Sequence, residues 1–239
     1  MSIDPTPLQA AQVYDQLRHE ILNGRFEADE PISQIKLAER LGVSRTPLRE
    51  ALRMLQSEGL ILSEPNRRVR VAALSVTDLE ELYAARITLE ALAVKITVPR
   101  LSSRDLEEMD AALAEMDEKA TTRDLDAWEA PHRQFHAILR EHAGARIATM
   151  LADLGAHSER YRRVYLSEPI AWMSAGAEHR AIGDACRHGA DLVAADLLAR
   201  HLARTALTVI ASVAPEHDAL PVRAAVRLVS GEPISKEFG

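Results

Sequence analysis

Residues 41–60, LGVSRTPLREALRMLQSEGL, constrain this chain more than any other stretch, because they join a tight helix corner to a helix with one apolar and one cationic face. Ahead of them, Gln34 to Arg40 has the spacing of a short helix with Ile35, Leu37 and Ala38 facing inward. Gly42 supplies the turn that lets two helices meet at a steep angle. Ser44 stands where an N-cap is wanted, and Pro47 falls in the first turn, where a missing N–H costs little. Leu48, Ala51, Leu52 and Leu55 follow the i, i+3, i+4, i+7 pattern of a half-buried helix. Arg45, Arg49 and Arg53 repeat every four residues on a different face, and Gly59 ends the helix.

A helix built this way can enter the major groove of DNA. Its arginines can reach guanine edges or phosphates, and its N-terminal amides can hold a phosphate oxygen. The candidate contacts are Ser44, Arg45, Thr46, Arg49 and Arg53. Spacing alone fits an ordinary amphipathic helix with solvated arginines equally well. The next residues shift that balance. Leu60–Leu62 and Val69–Val71 have the character of two short strands around a turn at residues 64–68, which adds Arg67 and Arg68 at the tip of a β-hairpin. A hairpin directly after such a helix makes a winged helix.

The string LAERLGVSRTPLREALRMLQSEGLI resembles the DNA-binding signature of the GntR family of bacterial transcription regulators. Val13–Arg18 and Ile21–Gly24 are similar to that family's first helix, and the likeness covers residues 8–73. It implies a DNA-binding domain over that range.

Composition bounds the remainder. A chain of 239 residues holds two compact domains, and 47% apolar content excludes a disordered protein. Aromatics make up only 4%, with Ala and Leu dominant, which favours helix packing over sheets. No run approaches the ~20 apolar residues of a membrane span, and residues 1–8 lack a signal-peptide profile. Cys186 is the only cysteine, which excludes an intrachain disulfide and fits a reducing cytoplasm. The net charge of −7 sits entirely beyond residue 75, since residues 1–75 carry ten basic and ten acidic side chains. Within 44–70, six arginines face three glutamates. An acidic body behind a locally basic head discourages indiscriminate DNA binding, which is mostly electrostatic.

After a short connector, residues 72–75, the period becomes helical. Thr77-Asp78-Leu79-Glu80 has capping-box form. Helices are expected near 77–98, 102–119, 122–142, 144–166, 170–188 and 191–213, and residues 214–239 are expected to form a loosely attached tail. The predicted fold is mainly α: an N-terminal winged helix-turn-helix with a small β-hairpin wing, then an all-α antiparallel bundle over 77–213. His132 and His136 share a helix face, with Trp128, Phe135 and Leu139 on or beside it. His179 shares a stripe with Ile182 and Cys186, and His201 follows Leu197 and Leu198 by one turn. Four inward imidazoles from three helices can converge on a divalent metal. Any one of them alone fits a satisfied core histidine just as well.

Residues 77–213 also resemble the FCD ligand-binding domain of the FadR branch of GntR regulators. The likeness is carried by Arg86–Glu90, Phe135–Leu139, Glu178–Ile182 and Ala195–Leu202. In metal-binding members, three histidines and an Asp or Asn one turn before the first hold the ion. That resemblance places His136, His179 and His201 on the histidine positions and His132 on the fourth, where it departs from the usual residue. An all-histidine set favours zinc, then nickel or another transition metal, over Mg or Mn. Pro131, inside the helix, is expected to kink the backbone at His132. The resemblance further implies a small organic-acid effector near the metal, with Arg86 as carboxylate partner; an ion pair with a bundle glutamate fits Arg86 equally. Arg160, Arg162 and Arg163 are expected mostly to face solvent, as are His19, His142, His157, His188 and His217.

Together these readings describe a non-enzymatic, cytoplasmic regulator. It is expected to act as a homodimer, most often a repressor, on a partly palindromic double-stranded operator. Three alternatives stand beside it. One is a metalloenzyme using Glu178 or Glu129 as general base, another is a sensor of the metal itself, and the third is a purely structural ion.

Overall fold

The computed structural model describes residues 7–62 and 69–231. The chain divides into two compact units, Met1–Ser75 and Val76–Gly239.

In the first unit, α1 (Pro7–Leu22), α2 (Gln34–Leu41) and α3 (Arg45–Ser57) share a core with three short strands. These are β1 (Pro31–Ile32), β2 (Ile61–Leu62) and β3 (Val69–Val71), antiparallel in the order β1-β3-β2. The α3 stripe Leu48, Ala51, Leu52, Leu55 is buried against Val13 and Leu17 of α1, with Leu37 of α2 beneath. Two glycines shape the corners. Gly42 ends α2 at φ 64° and Gly59 follows α3 at φ 67°, a region that side-chain-bearing residues enter at a cost. At the second corner Leu60 N–H donates to Leu55 O and Gly59 N–H to Gln56 O, the paired bonds of a Schellman turn. Glu58 at that end accepts from Arg18 Nε at 2.9 Å and from the Tyr14 hydroxyl, which ties α3 to α1.

Three local expectations change. Ile35 is 58% exposed, because an eight-residue helix offers one inward stripe and Leu37 and Ala38 occupy it. The strand β1 was too short to show alternation and pairs with β3 through Pro31–Arg70 and Ile32–Val69. Ser44 holds the N-cap position of α3 without a side-chain bond to the helix. The physical reason is Pro47 at the third helical position, which has no N–H to give.

The second unit is all helical: α4 (Val76–Thr97), α5 (Ser103–Thr122), α6 (Leu125–Ile138), α7 (Ala145–Leu166), α8 (Pro169–Arg187), α9 (Asp191–Val213) and α10 (Leu220–Ser230). The six expected helices are present, with ends displaced by up to four residues. α4 is the central element, packed on α7, α9 and α10, and its buried residues include Leu79, Tyr83, Ile87 and Val94. It begins at Val76, so Thr77 lies inside the helix; a capping box forms instead at Ser102 and Asp105 of α5. Asp78 accepts from Tyr161 Oη at 2.5 Å and from Arg160 Nη2 at 2.7 Å.

The stretch after 213 is not a loose tail within the described residues. α10 lays Val222 and Ala225 into the core shared with α4 and α9, since its apolar residues recur at helical period. Val222 is fully buried. Val222→Asp should therefore lower the midpoint of urea unfolding by the equivalent of roughly 2–4 kcal/mol. An unchanged midpoint would show that α10 is dispensable to the bundle.

Candidate functional site

The first candidate surface is the outer face of α3. Its apolar stripe points into the core, so Arg45, Arg49 and Arg53 point out, with Thr46 and Ser44 at the N-terminal end, and all five are exposed. No ion pair holds Arg45, Arg49 or Arg53 to another described residue. A capped helix start would have its first amides satisfied by the cap hydroxyl; here the Ser44 hydroxyl makes no such bond. The helix therefore presents uncapped amides together with unpaired guanidinium groups, the combination that favours phosphate oxygens and base edges. Arg67 and Arg68 lie outside the described residues.

The second candidate is inside the bundle. α6 places His132 and His136 on one face, α8 contributes His179 and α9 contributes His201. All four are buried, and one nitrogen from each can be chosen so that the set lies within 4.8 Å of one another. Pro131 does not turn His132 away. α6 runs unbroken from Leu125 to Ile138, and the His132 ring stacks on Trp128 at 4.4 Å and stands 4.6 Å from His136.

The outward nitrogens of His179 and His201 have partners that fix the inward ones. His179 Nδ1 is 2.6 Å from Ala175 O, and His201 Nδ1 is 2.7 Å from Glu178 Oε2. A carbonyl or carboxylate only accepts, so both Nδ1 atoms carry the proton and both Nε2 lone pairs face inward. His136 Nδ1 stands 3.3 Å from Glu90 Oε2. Both nitrogens of His136, together with His179 Nε2 and His132 Nδ1, are buried without a hydrogen-bond partner among the described residues. Inward acceptors oriented from behind by a carbonyl or a carboxylate, as in His179 and His201, are how imidazoles are held for a metal. The donor set therefore fits a divalent transition ion, and the cluster has the capacity to coordinate one.

Electrostatics agree. Burial holds the His132 and His179 imidazoles well below their ordinary value, with Arg162 and the other histidines adding for His132 and His201 and His136 for His179. Burial brings His136 down to about 4, although the Glu90 carboxylate pulls the other way. Neutral imidazole is the ligating form. Cys186 does not join the set: burial pushes its thiol up to about 12.

Behind the histidines lies a layer of buried charge. Arg86 donates to Glu90 Oε1 through Nε at 2.8 Å and to Ser158 Oγ through Nη1 at 2.8 Å, over the Tyr83 ring. Arg162 pairs with Glu129 at 2.5 Å and reaches the same Ser158 Oγ at 3.4 Å. Burial opposes the Glu90 charge, but Arg86 and His136 more than offset that and hold its carboxyl well below the usual range.

Comparison with known proteins decides the family. Residues 9–71 match the bacterial regulatory proteins of the gntR family, and residues 81–204 match the FCD domain, over half of the chain. The chain belongs to the GntR family. It is 35% identical over 137 residues to the HTH-type transcriptional regulator YdhC of Bacillus subtilis (strain 168), covering 56% of this chain and 60% of that protein. It is 30% identical over 167 residues to the HTH-type transcriptional repressor GlaR of Escherichia coli (strain K12), covering 66% of this chain and 74% of GlaR. The solved structure of E. coli McbR/YncC superposes with a TM-score of 0.71, at 21% identity, over 85% of this chain and 98% of that one, which is a likeness of fold.

Membership makes this GntR chain a DNA-binding regulator and sets the metalloenzyme alternative aside. The geometry is consistent with that, since both carboxylates considered as a general base are engaged, Glu178 by His201 and Arg204, and Glu129 by Arg162. No helix among the described residues is long and apolar enough to cross a membrane. Arg86, expected to meet a ligand carboxylate, is buried and taken up by Glu90 and Ser158, the ion-pair arrangement that the sequence had left open. The expectation for the α7 arginines is corrected. Arg160 and Arg163 are mostly covered and paired with Asp78 and with Asp126 and Glu159, and Arg162 is buried beside the histidines. Spacing carried that signal: Leu151, Ser158, Arg162 and Tyr165 form one buried stripe of α7.

A pH dependence follows for the metal-free protein. The folded His132, His136 and His179 imidazoles titrate below the ordinary value near 6.5, so between pH 6.5 and about 4 the unfolded chain binds more protons than the folded one. Stability is complete above that window and falls as the pH drops through it. Glu90, also depressed, adds its loss only below the ordinary carboxylate range. The melting temperature of chelator-stripped protein should fall between pH 7 and pH 5, less steeply in His136→Asn. A melting temperature that is level or rises on acidification contradicts the neutral buried cluster.

Proposed function

We propose that this GntR regulator is a homodimeric repressor whose operator affinity is set by a small organic acid bound at a metal-loaded histidine cluster. Residues 8–73 would bind DNA and residues 77–213 the effector. The exposed arginine row of α3 carries the first half of the reading. Arg45, Arg49 and Arg53, with Ser44 and Thr46, contact the operator, and Arg67 and Arg68 extend the contact from the wing. The likeness to GlaR, described as a repressor, favours repression as the sign.

The orphaned imidazole nitrogens carry the second half. His136, His179 and His201 hold the ion, with His132 as fourth donor, and the all-nitrogen set selects zinc ahead of harder cations. When bound, the ion supplies a Lewis-acidic position for a carboxylate. Glu90, Glu178 and the Ala175 carbonyl orient three of the rings. Arg86 then acts one layer out, holding Glu90 behind His136 rather than gripping the effector in the resting state. A ligand alters DNA affinity only through its differential affinity for the two forms of the regulator. Glu90 and Ser158 join the histidines to α4 and α7, so a ligand that shifts a ring also shifts those helices.

The α4–α7 outer seam supports a dimer. Leu92 of α4 and Met150 of α7 are exposed, each one helical turn from Leu89 or Ile147, which pack with Leu151; these are apolar side chains that a second copy would cover.

Two substitutions test the reading. Arg49→Ala should weaken specific operator binding by roughly 10–100-fold, the worth of one base-directed guanidinium, with an unchanged melting curve because the side chain is exposed. Retained operator affinity removes Arg49 from the interface. His179→Ala should lower zinc affinity at least tenfold and abolish the response of DNA binding to organic acids. Unchanged zinc stoichiometry in that variant, read by elemental analysis of the dialysed protein, sinks the metal site.

A further inference from the structure

A groove runs along the surface between α9 and α10. It encloses about 730 Å³, within the range of small-molecule sites. α10 lies beyond the stretch that matches the FCD domain. The floor is apolar, formed by Leu207, Val222 and Val226 with Ala203 and Ala211 between them. Four arginines line it: Arg200, Arg204, Arg223 and Arg227.

The groove is polarised along its length. The short connection 214–219 returns the chain from α9 into α10, which packs on α9. Val222 therefore lies near the turn beside Ala211, while Arg227 lies farther along, toward Ala203 and Arg204. Arg200, Arg204 and Arg227 stand toward one end, and the other is apolar but for Arg223, which follows Val222 and pairs with Asp218 of the connection. Arg204 and Ala211 are seven residues apart on α9, so the apolar reach is about 10 Å long.

Charge at the cationic end is incompletely matched. Arg200 pairs with Asp196 and Arg204 with Glu178. Arg227 has no ion-pair partner among the described residues. A chain with a net charge of −7 thus keeps a surplus cation at one end of an apolar trough. That complementarity suits one anionic head and one apolar body.

Arg204 also leads inward. Its Nη1 is 2.7 Å from Glu178 Oε1, and the other oxygen of that carboxylate is 2.7 Å from His201 Nδ1. Two contacts connect the groove to a ring of the histidine cluster.

We propose that the α9–α10 groove is a second small-molecule site, for an amphipathic carboxylate with an apolar body about 10 Å long, and that its occupancy reaches the histidine cluster through Arg204 and Glu178. A carboxylate on Arg204 and Arg227 draws Arg204 away from Glu178. Glu178 is then left to His201 alone, which strengthens the Nδ1–H bond and makes Nε2 the better donor to a metal. Anion and metal therefore bind cooperatively, and each tightens the other by the same factor. The coupling rests on the metal reading of the cluster; the groove itself does not.

Calorimetric titration of the full chain with octanoate tests both halves, with octanamide and acetate as ligands lacking the charge or the apolar body. Octanoate should bind zinc-free protein saturably, at least tenfold tighter than either control. Arg227→Glu and Thr208→Trp, which remove the surplus cation and fill the trough, should each weaken it at least tenfold, and His179→Ala should leave it unchanged. Absence of saturable binding overturns the site, as does indifference to Arg227→Glu. Loss in His179→Ala puts octanoate at the histidines and overturns it too. If Thr208→Trp converts a dimer to monomers in sedimentation, the groove belongs to a second copy and the proposal falls. Zinc should tighten octanoate about three- to tenfold, with the factor lost in Arg204→Gln. Equal octanoate affinities with and without bound zinc overturn the coupling alone. A protein that binds no zinc in direct titration fails the metal reading and takes the coupling with it, while the zinc-free titrations still decide the groove.

Discussion

Four imidazoles share one spot in the interior of this protein, and the arrangement of the bundle around them follows from the cost of putting them there. An unpaired buried nitrogen costs about 1–3 kcal/mol. The chain lowers that cost from outside: Ala175 O, Glu178 and Glu90 face the outer nitrogens of His179, His201 and His136. This leaves lone pairs pointing at each other, which is unfavourable until something electrophilic lies between them. Were an ion bound there, its binding free energy would add to the folding free energy of the α6, α8 and α9 packing. His132 differs from its neighbours. Its Nδ1 has no hydrogen-bond partner among the described residues, and its ring stacks on Trp128.

The buried ion pairs behind the cluster make sense only in relation to it. A pair such as Arg86–Glu90 gains little net stability once desolvation is counted, and an apolar pair of the same volume often does as well. What an apolar pair cannot do is present a carboxylate oxygen 3.3 Å from His136 Nδ1. Ser158 performs a related task on α7, receiving both Arg86 and Arg162 on one hydroxyl and donating to Gly155 O. The histidines are thereby connected to every long helix around them except α5. A change in the position of one ring is a change in the register of charges on α4 and α7, which is the kind of discrete rearrangement an allosteric bundle requires.

How much of this was legible in the sequence depended on whether a residue's role was set by its own helix or by its neighbours. The α3 stripe, the Gly42 and Gly59 corners and the inward aim of His132, His136, His179 and His201 are local matters of period and φ, and reading along the chain locates them. Ser44 failed as a side-chain cap for an equally local reason, since Pro47 removes the donor that the cap needs. Other features are set by tertiary packing. Arg162 lies on the buried stripe of α7 with Leu151, Ser158 and Tyr165, but it takes Glu129 of another helix to make a guanidinium tolerable there. α10 has too few residues to be persuasive alone, and becomes part of the core only because α4 and α9 leave a seam for Val222. Arg86 had two readings from sequence, and the position of Ser158, 72 residues away, places its guanidinium in a network.

The charge balance of the reading head belongs to the same physics. Electrostatic attraction to phosphate is indifferent to sequence, so a strongly basic head would hold DNA everywhere and leave little for an effector to modulate. In residues 1–75 acidic and basic side chains are equal in number, and internal pairs such as Arg18–Glu58 and Arg40–Glu20 tie down cations away from α3. The arginines on the outer face of α3 lack such partners among the described residues. Concentrating the unpaired charge on one helix, behind uncapped amides, would limit the sequence-indifferent attraction and leave the proposed α3 contacts to depend on register. A regulator whose coupling free energy is only a few kcal/mol needs that economy, because an effector can release DNA only when the grip it must overcome is of the same size.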